Sequence, residues 1–134
     1  MSETLIRNYF TAFNIRDIDG ALALVDDDVD HAVVPGRRER GKPAFRAYLE
    51  AQVRSRDERF DEIVVMADAE GRRFAAEYTA QGTYGETEAG LPAAARQEYV
   101  VAGGCFFLVV DGRIVRITRY DNLPDWLWQR EEGA

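Results

Sequence analysis

Phe60-Asp-Glu-Ile-Val-Val-Met-Ala-Asp-Ala-Glu-Gly-Arg-Arg-Phe-Ala-Ala-Glu-Tyr-Thr-Ala-Gln-Gly-Thr-Tyr84 is the stretch in which the hydrophobic period of this chain changes. Before it, apolar residues recur every three or four positions; from it onward they alternate, so helices give way to strands. Phe60 to Ala67 reads as one strand, Glu70-Gly71 as a turn, and Arg73 to Tyr84 as a second strand. Residues 85–95 read as a longer loop, followed by a strand from about Arg96 to Val110 and a tight Asp111-Gly112 hairpin into Arg113 to Asp121. The segment from Asn122 to Trp128 reads as a short terminal helix capped at Asp125. Gly82, Gly103 and Gly104 fall inside strands, where glycine marks a bulge, a bend or a close approach.

Upstream, Leu5, Ile6, Tyr9, Phe10 and Phe13 recur at helical spacing behind Ser2, a suitable N-cap. Asp17 can cap a second, shorter helix carrying Ile18, Leu22 and Val25, with the run Asp26-Asp27-Asp28 expected to end it as a turn. Residues 29–34 alternate, with Val29, His31 and Val33 on one side, and Pro35-Gly36 is a turn pair. Pro43 suits the first turn of a third helix, whose Phe45, Tyr48, Leu49, Gln52 and Val53 share a face. Helices first and a meander afterwards imply an α+β layer structure, with a sheet that curls to bury its helices.

At 134 residues the chain has the size of one domain, 1–134. Its 17 basic and 24 acidic side chains give 17 − 24 = −7, which opposes binding to phosphate backbones or anionic lipid, so neither nucleic acid nor membrane is an expected partner. The basic cluster Arg37, Arg38, Arg40 and Lys42 reads as a solvated hairpin. The start of the chain lacks a signal-peptide pattern, and a cytoplasmic protein is expected. Cys105 is the only cysteine and reads as a small packed residue; His31 is the only histidine, which excludes multi-histidine metal sites. No metal and no cofactor are expected.

The stretch from Tyr9 to Val29, with its Asn14, Asp17, Gly20 and Asp27-Asp28, resembles the opening of ketosteroid isomerases and SnoaL-like proteins. Gly36, Gly41, Phe45, Gly82-Thr83, Asp111-Gly112-Arg113-Ile114 and Tyr120-Asp121-Asn122 continue the likeness over nearly the whole chain. The resemblance implies the cone-shaped fold of the nuclear transport factor 2-like superfamily, also called cystatin-like: a curled antiparallel sheet wrapped around three N-terminal helices. In ketosteroid isomerases a tyrosine on the first helix, an aspartate base and a protonated aspartic acid act together, the two carboxyl groups being tuned apart by their surroundings. Here the tyrosine matches as Tyr9, but the base falls on Val33 and the second donor at about Gly104. Neither side chain can move a proton, so steroid isomerisation by that constellation is not expected. SnoaL-like cyclases place an acid/base aspartate on the last strand, which the resemblance carries to Asp121.

If Val115 and Ile117 face the core, a period of two turns Arg119 and Asp121 inward, whereas a one-residue bulge would present Tyr120 and Asn122 instead. Beside an arginine, Asp121 would stay ionised and serve as a base; among apolar rings it would keep a proton and serve as an acid. The expected catalytic groups are therefore Asp121, His31 and Tyr9. Phe13, Val33, Phe45, Tyr48 and Tyr78 are expected to line a pocket for a small apolar or polycyclic ligand. Phe106, Leu108 and Ile117 join them, and Arg119 and Trp126 are expected at its mouth. The leading expectation is a cofactor-free enzyme of isomerase, cyclase or hydrolase type. A non-catalytic carrier or sensor, or a dimeric interaction module, is the alternative. A homodimer is expected through the convex sheet face, to which alternation here assigns Tyr99, Val101, Cys105 and Phe107.

Overall fold

A computed structural model describes residues 2–34, 37–88, 90–122 and 124–127. Helix α1 spans Ser2–Asn14 and α2 spans Ile18–Leu22; strand β1 is Val25–Val34, β2 Arg37–Arg40, and α3 Lys42–Ser55. Strands β3 (Arg56–Ala67), β4 (Arg73–Tyr84), β5 (Gln97–Val110) and β6 (Arg113–Asp121) complete one curled, open sheet of order β2-β1-β6-β5-β4-β3. The fold is the expected α+β architecture, with one amendment. The sheet is not wholly antiparallel, because β1 runs parallel to β6, with His31 opposite Ile117.

The helices lie on the concave face. Ile6, Tyr9, Phe10 and Phe13 of α1 are buried there, and Phe10 meets the rings of Phe60, Tyr78 and Phe107 at centroid distances of 5.2, 5.7 and 6.0 Å. Asn14 ties the end of α1 to β3 twice, donating from Nδ2 to the Phe60 carbonyl at 2.9 Å and accepting the Phe60 N–H at 2.9 Å. Asp17 caps α2 as expected, accepting the Gly20 N–H at 2.9 Å. In α3, Phe45 and Leu49 are the buried residues of the face the sequence indicated. The Asp111-Gly112 hairpin takes the expected form, with φ of 51° and 75° at its two central residues.

Several local expectations fail for identifiable reasons. The acidic run is not a turn but the beginning of β1, because buried Val25 and Val29 anchor the strand on either side of it and its register slips between Val25 and Asp30. Pro35-Gly36 lies outside the described residues. The hairpin of β1 and β2 exists and its Arg37 and Arg40 are exposed, yet Arg38 is half-buried: it donates to Asp30 Oδ1 at 2.6 Å, Thr118 Oγ1 at 2.9 Å and the Ile117 carbonyl at 3.1 Å. Strand β3 begins four residues earlier than read, at Arg56. In β5 the faces are reversed: Tyr99, Val101, Cys105 and Phe107 point into the core, while Phe106 is 52% exposed. The run Cys105-Phe-Phe-Leu-Val-Val is apolar in both parities, so alternation alone does not choose. Register does, because Phe74 stands directly opposite Phe107 and Tyr78 opposite Gly103, and directly paired residues share a face.

Candidate active site

The concave face holds a cavity of about 20 Å³, walled by Tyr9, Phe13, His31, Phe45, Tyr48 and Phe60, and further by Cys105, Ile117 and Arg119. That volume is close to what one water requires. Tyr9 comes from α1, Phe45 and Tyr48 from α3, His31 from β1 and Arg119 from β6, so the site is assembled by curling the sheet over two helices. Of the pocket residues expected from sequence, Tyr9, Phe13, His31, Phe45, Tyr48, Ile117 and Arg119 are brought together.

His31 is 1% exposed, and neither ring nitrogen has a hydrogen-bond partner among the described residues. Its ring lies 4.9 Å from Phe45 and 5.5 Å from Tyr48. Desolvation lowers its pKa, which the Glu39 and Asp30 charges oppose and Arg38 reinforces, so the imidazole is neutral at pH 7. A neutral imidazole offers one donor and one acceptor, both available here to whatever enters. Burial raises the pKa of Tyr9 and of Tyr48, so both phenols stay protonated. Burial likewise pushes the Cys105 thiol up to about 12, which leaves no thiolate for nucleophilic work.

A group of charges runs back from Arg119 in the cavity wall. Arg119 Nη2 is 2.9 Å from Glu58 Oε1 and 2.7 Å from Asp121 Oδ2, charge contacts that lack hydrogen-bond alignment. Burial works against the Arg119 cation, but Glu58, Tyr78 and Asp121 raise its pKa well above the ordinary value. Its guanidinium also lies 4.8 Å from the Phe60 ring centroid. Arg56 continues the series, 3.8 Å from Glu58 Oε2 and 2.6 Å from Glu88 Oε2. From Asp121 through Arg119, Glu58 and Arg56 to Glu88, formal charges thus alternate across the concave face.

Two glycines make the carboxylate contacts possible. Tyr78 on β4, Gly103 on β5 and Asp121 on β6 lie in one cross-strand row, and the Tyr78 hydroxyl donates to Asp121 Oδ1 at 2.8 Å. A Cβ at Gly103 would overlap that carboxylate oxygen and come within 2.9 Å of Tyr78 Cε1. Glu58 on β3, Gly82 on β4 and Tyr99 on β5 form a second such row, in which the Tyr99 hydroxyl donates to Glu58 Oε2. There a Cβ would approach the Asp57 carbonyl at 2.6 Å and the Tyr99 hydroxyl at 2.9 Å. The close approach read from Gly82 and Gly103 is therefore a tyrosine–carboxylate contact over each.

Other expected site residues lie elsewhere. Asp121 points inward with Arg119, as the simple alternation has it, but sits behind Arg119 and is absent from the cavity wall, as is Tyr78. Tyr120, 64% exposed, and Asn122 are on the outer side, since no bulge shifts the end of β6; Tyr120 packs its ring edge on Phe106 at 5.8 Å. Phe106 and Leu108 share that outer parity and do not line the cavity. Trp126 is no mouth residue: it is 1% exposed and packed on Tyr84 and Tyr99, at 5.0 and 5.7 Å, with Arg56 4.9 Å over its ring. The short helix that carries it, residues 124–127, is capped by Asn122 rather than Asp125, the Asn122 Oδ1 accepting the Asp125 N–H at 3.2 Å. The β1 backbone carries Val33, but its side chain lies outside the described residues. Glu58 was missed altogether. Carrying the period of two back from Phe60 puts Glu58 on the buried face of β3, a signal that goes unread when the strand is begun at Phe60.

Among the described residues no group of three or more His, Cys, Asp or Glu side chains is placed to hold a metal ion, and no helix is long and apolar enough to cross a membrane. A curled, open sheet closing over N-terminal helices is the nuclear transport factor 2-like fold. Within that class the chain belongs to the SnoaL-like domain family, whose sequence model matches residues 6–117. It is similar to a "putative polyketide cyclase" of Xanthomonas campestris, at 44% identity and a TM-score of 0.89, over 96% of this chain and 95% of that one. A protein of Pseudomonas putida described in the same words matches at 43% identity and a TM-score of 0.92, over 96% and 97%. A nuclear transport factor 2-like protein of Burkholderia xenovorans shares the fold at 16% identity and a TM-score of 0.74, over 99% and 95%. No curated protein matches the chain.

Proposed function

We propose that the protein is a cofactor-free enzyme of cyclase or hydrolase type that moves a proton on a small apolar, carbonyl- or hydroxyl-bearing compound. The observation that carries this reading is the polar wall of an otherwise apolar cavity. Neutral His31, with no partner for either nitrogen, and Arg119, gripping Asp121 at 2.7 Å, border the same space. A carrier for an apolar ligand has no need of such groups, since each buried polar atom without a partner costs about 1–3 kcal/mol. Three relatives above 40% identity, each described as a polyketide cyclase, support the same direction.

In this reading Asp121 is the principal acid/base: it stands outside the wall of the closed cavity and meets the substrate only once the wall is parted, with the Tyr78 hydroxyl fixing one oxygen and Arg119 facing the other. His31 and Tyr9 hydrogen-bond the substrate oxygen. A substrate larger than a water must part the wall, and Phe45 and Tyr48 on α3 are the side chains it would displace. The outer sheet face, with Val100, Phe106 and Tyr120 exposed, is proposed as a homodimer surface.

The test is Asp121→Asn, which keeps shape and removes the titrating group. Against a panel of polyketide-like carbonyl compounds and epoxides, turnover should fall by about 10² to 10⁴, with ligand affinity within a few-fold. Full turnover by this variant defeats the mechanism. Tight binding without turnover of any panel member by the wild type would make the protein a carrier.

A further inference from the structure

We propose that Glu58 is a positioning residue of this site: it holds Arg119 in place so that Asp121 can become neutral without releasing it. The inference rests on the reading of Asp121 as the group that exchanges a proton. A single nitrogen, Arg119 Nη2, faces both carboxylates, at 2.9 Å and 2.7 Å. One carboxylate suffices to balance one guanidinium, so the second is surplus to charge balance.

Burial distinguishes the two. The Glu58 side chain is 1% exposed, against 17% for Asp121. Glu58 is fixed from three sides: by Arg119, by the Tyr99 hydroxyl reaching over Gly82, and by Arg56 at 3.8 Å. It has no share in the cavity wall. Asp121 is held by one hydroxyl and one nitrogen at the end of β6. If Asp121 alone balanced Arg119, each protonation of Asp121 would strand a buried cation without a counter-charge. With Glu58 behind it, the cation stays paired through the cycle and Arg119 keeps its place in the cavity wall. Glu58 thus acts on the chemistry through Arg119, without touching substrate.

The experiment follows the Arg119 side chain itself in the full chain labelled with ¹⁵N-arginine, Arg119→Lys providing the assignment of its Nε–Hε resonance. Asp121→Asn stands in for neutral Asp121, and hydrogen exchange at Nε–Hε should remain within about twofold of wild type. In Glu58→Gln/Asp121→Asn exchange should accelerate at least tenfold, or the resonance should be lost. Tenfold acceleration in Asp121→Asn alone overturns the proposal, because Asp121 is then what holds Arg119. Wild-type exchange in the double variant also overturns it, even if the melting temperature falls, since a packing role alone lowers stability without freeing Arg119. Should the double variant not fold, Tyr99→Phe/Asp121→Asn removes only the hydroxyl that fixes Glu58; faster exchange than in Asp121→Asn supports the proposal and equal exchange overturns it. None of these readings depends on turnover, so an Asp121→Asn variant that stays fully active would end the acid/base reading while leaving the hold of Glu58 on Arg119 separately decided.

Discussion

Replacing Arg119 by Met should be the most damaging single change in the charged group, and more damaging than replacing Glu58 by Gln. In the native protein Arg119 stands between two carboxylates, one of them 1% exposed. Met fills much of the same volume over Phe60 but leaves Glu58 and Asp121 facing one another, with Arg56 the remaining cation at 3.8 Å from Glu58 and already bound to Glu88 at 2.6 Å. Removing one partner of a buried pair costs about 3–5 kcal/mol. Glu58→Gln is different, because deleting the middle charge leaves Arg119 with Asp121 and Arg56 with Glu88, two balanced pairs, and the amide oxygen can still accept from Tyr99. Its cost is that of a weakened contact, about 1–3 kcal/mol. At about 2.1 cal/mol/K per residue, 134 residues give an unfolding entropy of about 0.28 kcal/mol/K, so each kcal/mol shifts Tm by about 3.6 °C. Calorimetry should find Arg119→Met about 11–18 °C below wild type and Glu58→Gln about 4–11 °C below. Equal losses, or a greater loss for Glu58→Gln, would refute the charge accounting.

Gly103→Ala should break the Tyr78–Asp121 hydrogen bond, since the added Cβ occupies the carboxylate's position; a loss of about 1–3 kcal/mol in denaturant titration is expected, and wild-type stability would contradict it. Trp126→Ala should destabilise by about 3–5 kcal/mol through the cavity left against Tyr84 and Tyr99, read from the shift in urea midpoint, whereas a lid residue would change ligand affinity alone. Burial lowers the pKa of His31, so the unfolded chain takes up its proton first as pH falls below about 6.5. His31 therefore withdraws stability on acidification, and His31→Gln should lose less stability than wild type between pH 7.5 and 5.5 in paired urea titrations; identical losses would refute this. Light scattering should give a dimer mass for the wild type and a monomer for Phe106→Asp, and a monomeric wild type would remove the outer-face proposal.

The change of period at Phe60 came within four residues of the boundary between α3 and β3, and the cap at Asp17, the face of α3 and the Asp111-Gly112 hairpin were legible because each depends on near neighbours in sequence. What depends on pairing partners was not. The parity of β5 follows from Phe74 standing opposite Phe107, and nothing within an apolar run of both parities reports its partner. Asp121 and Arg119 could be turned inward by counting from Ile117, yet Glu58, the second carboxylate on Arg119, lies on a strand 61 residues earlier (119 − 58 = 61), brought to it only by the curl of the sheet. Trp126 looked like a free aromatic tail because Tyr84, Tyr99 and Arg56, which enclose it, come from three different strands.

The parallel pairing of β1 with β6 sets an order on how the chain reaches this structure. Strands β3 to β6 are joined to their sequence neighbours and can zip as they leave the ribosome, but β1 has only the short β2 beside it until residues 114–117 exist. During synthesis the backbone edge of the β1–β2 hairpin therefore waits through some eighty residues of growing chain, counted from Val34 to Ile114 (114 − 34 = 80). Such long-range closure is slow, and an unpaired edge in the interval invites pairing with other chains. Asp26, Asp28 and Asp30 on β1 put charges along that waiting edge, where they disfavour pairing with other chains while the last strand is being made.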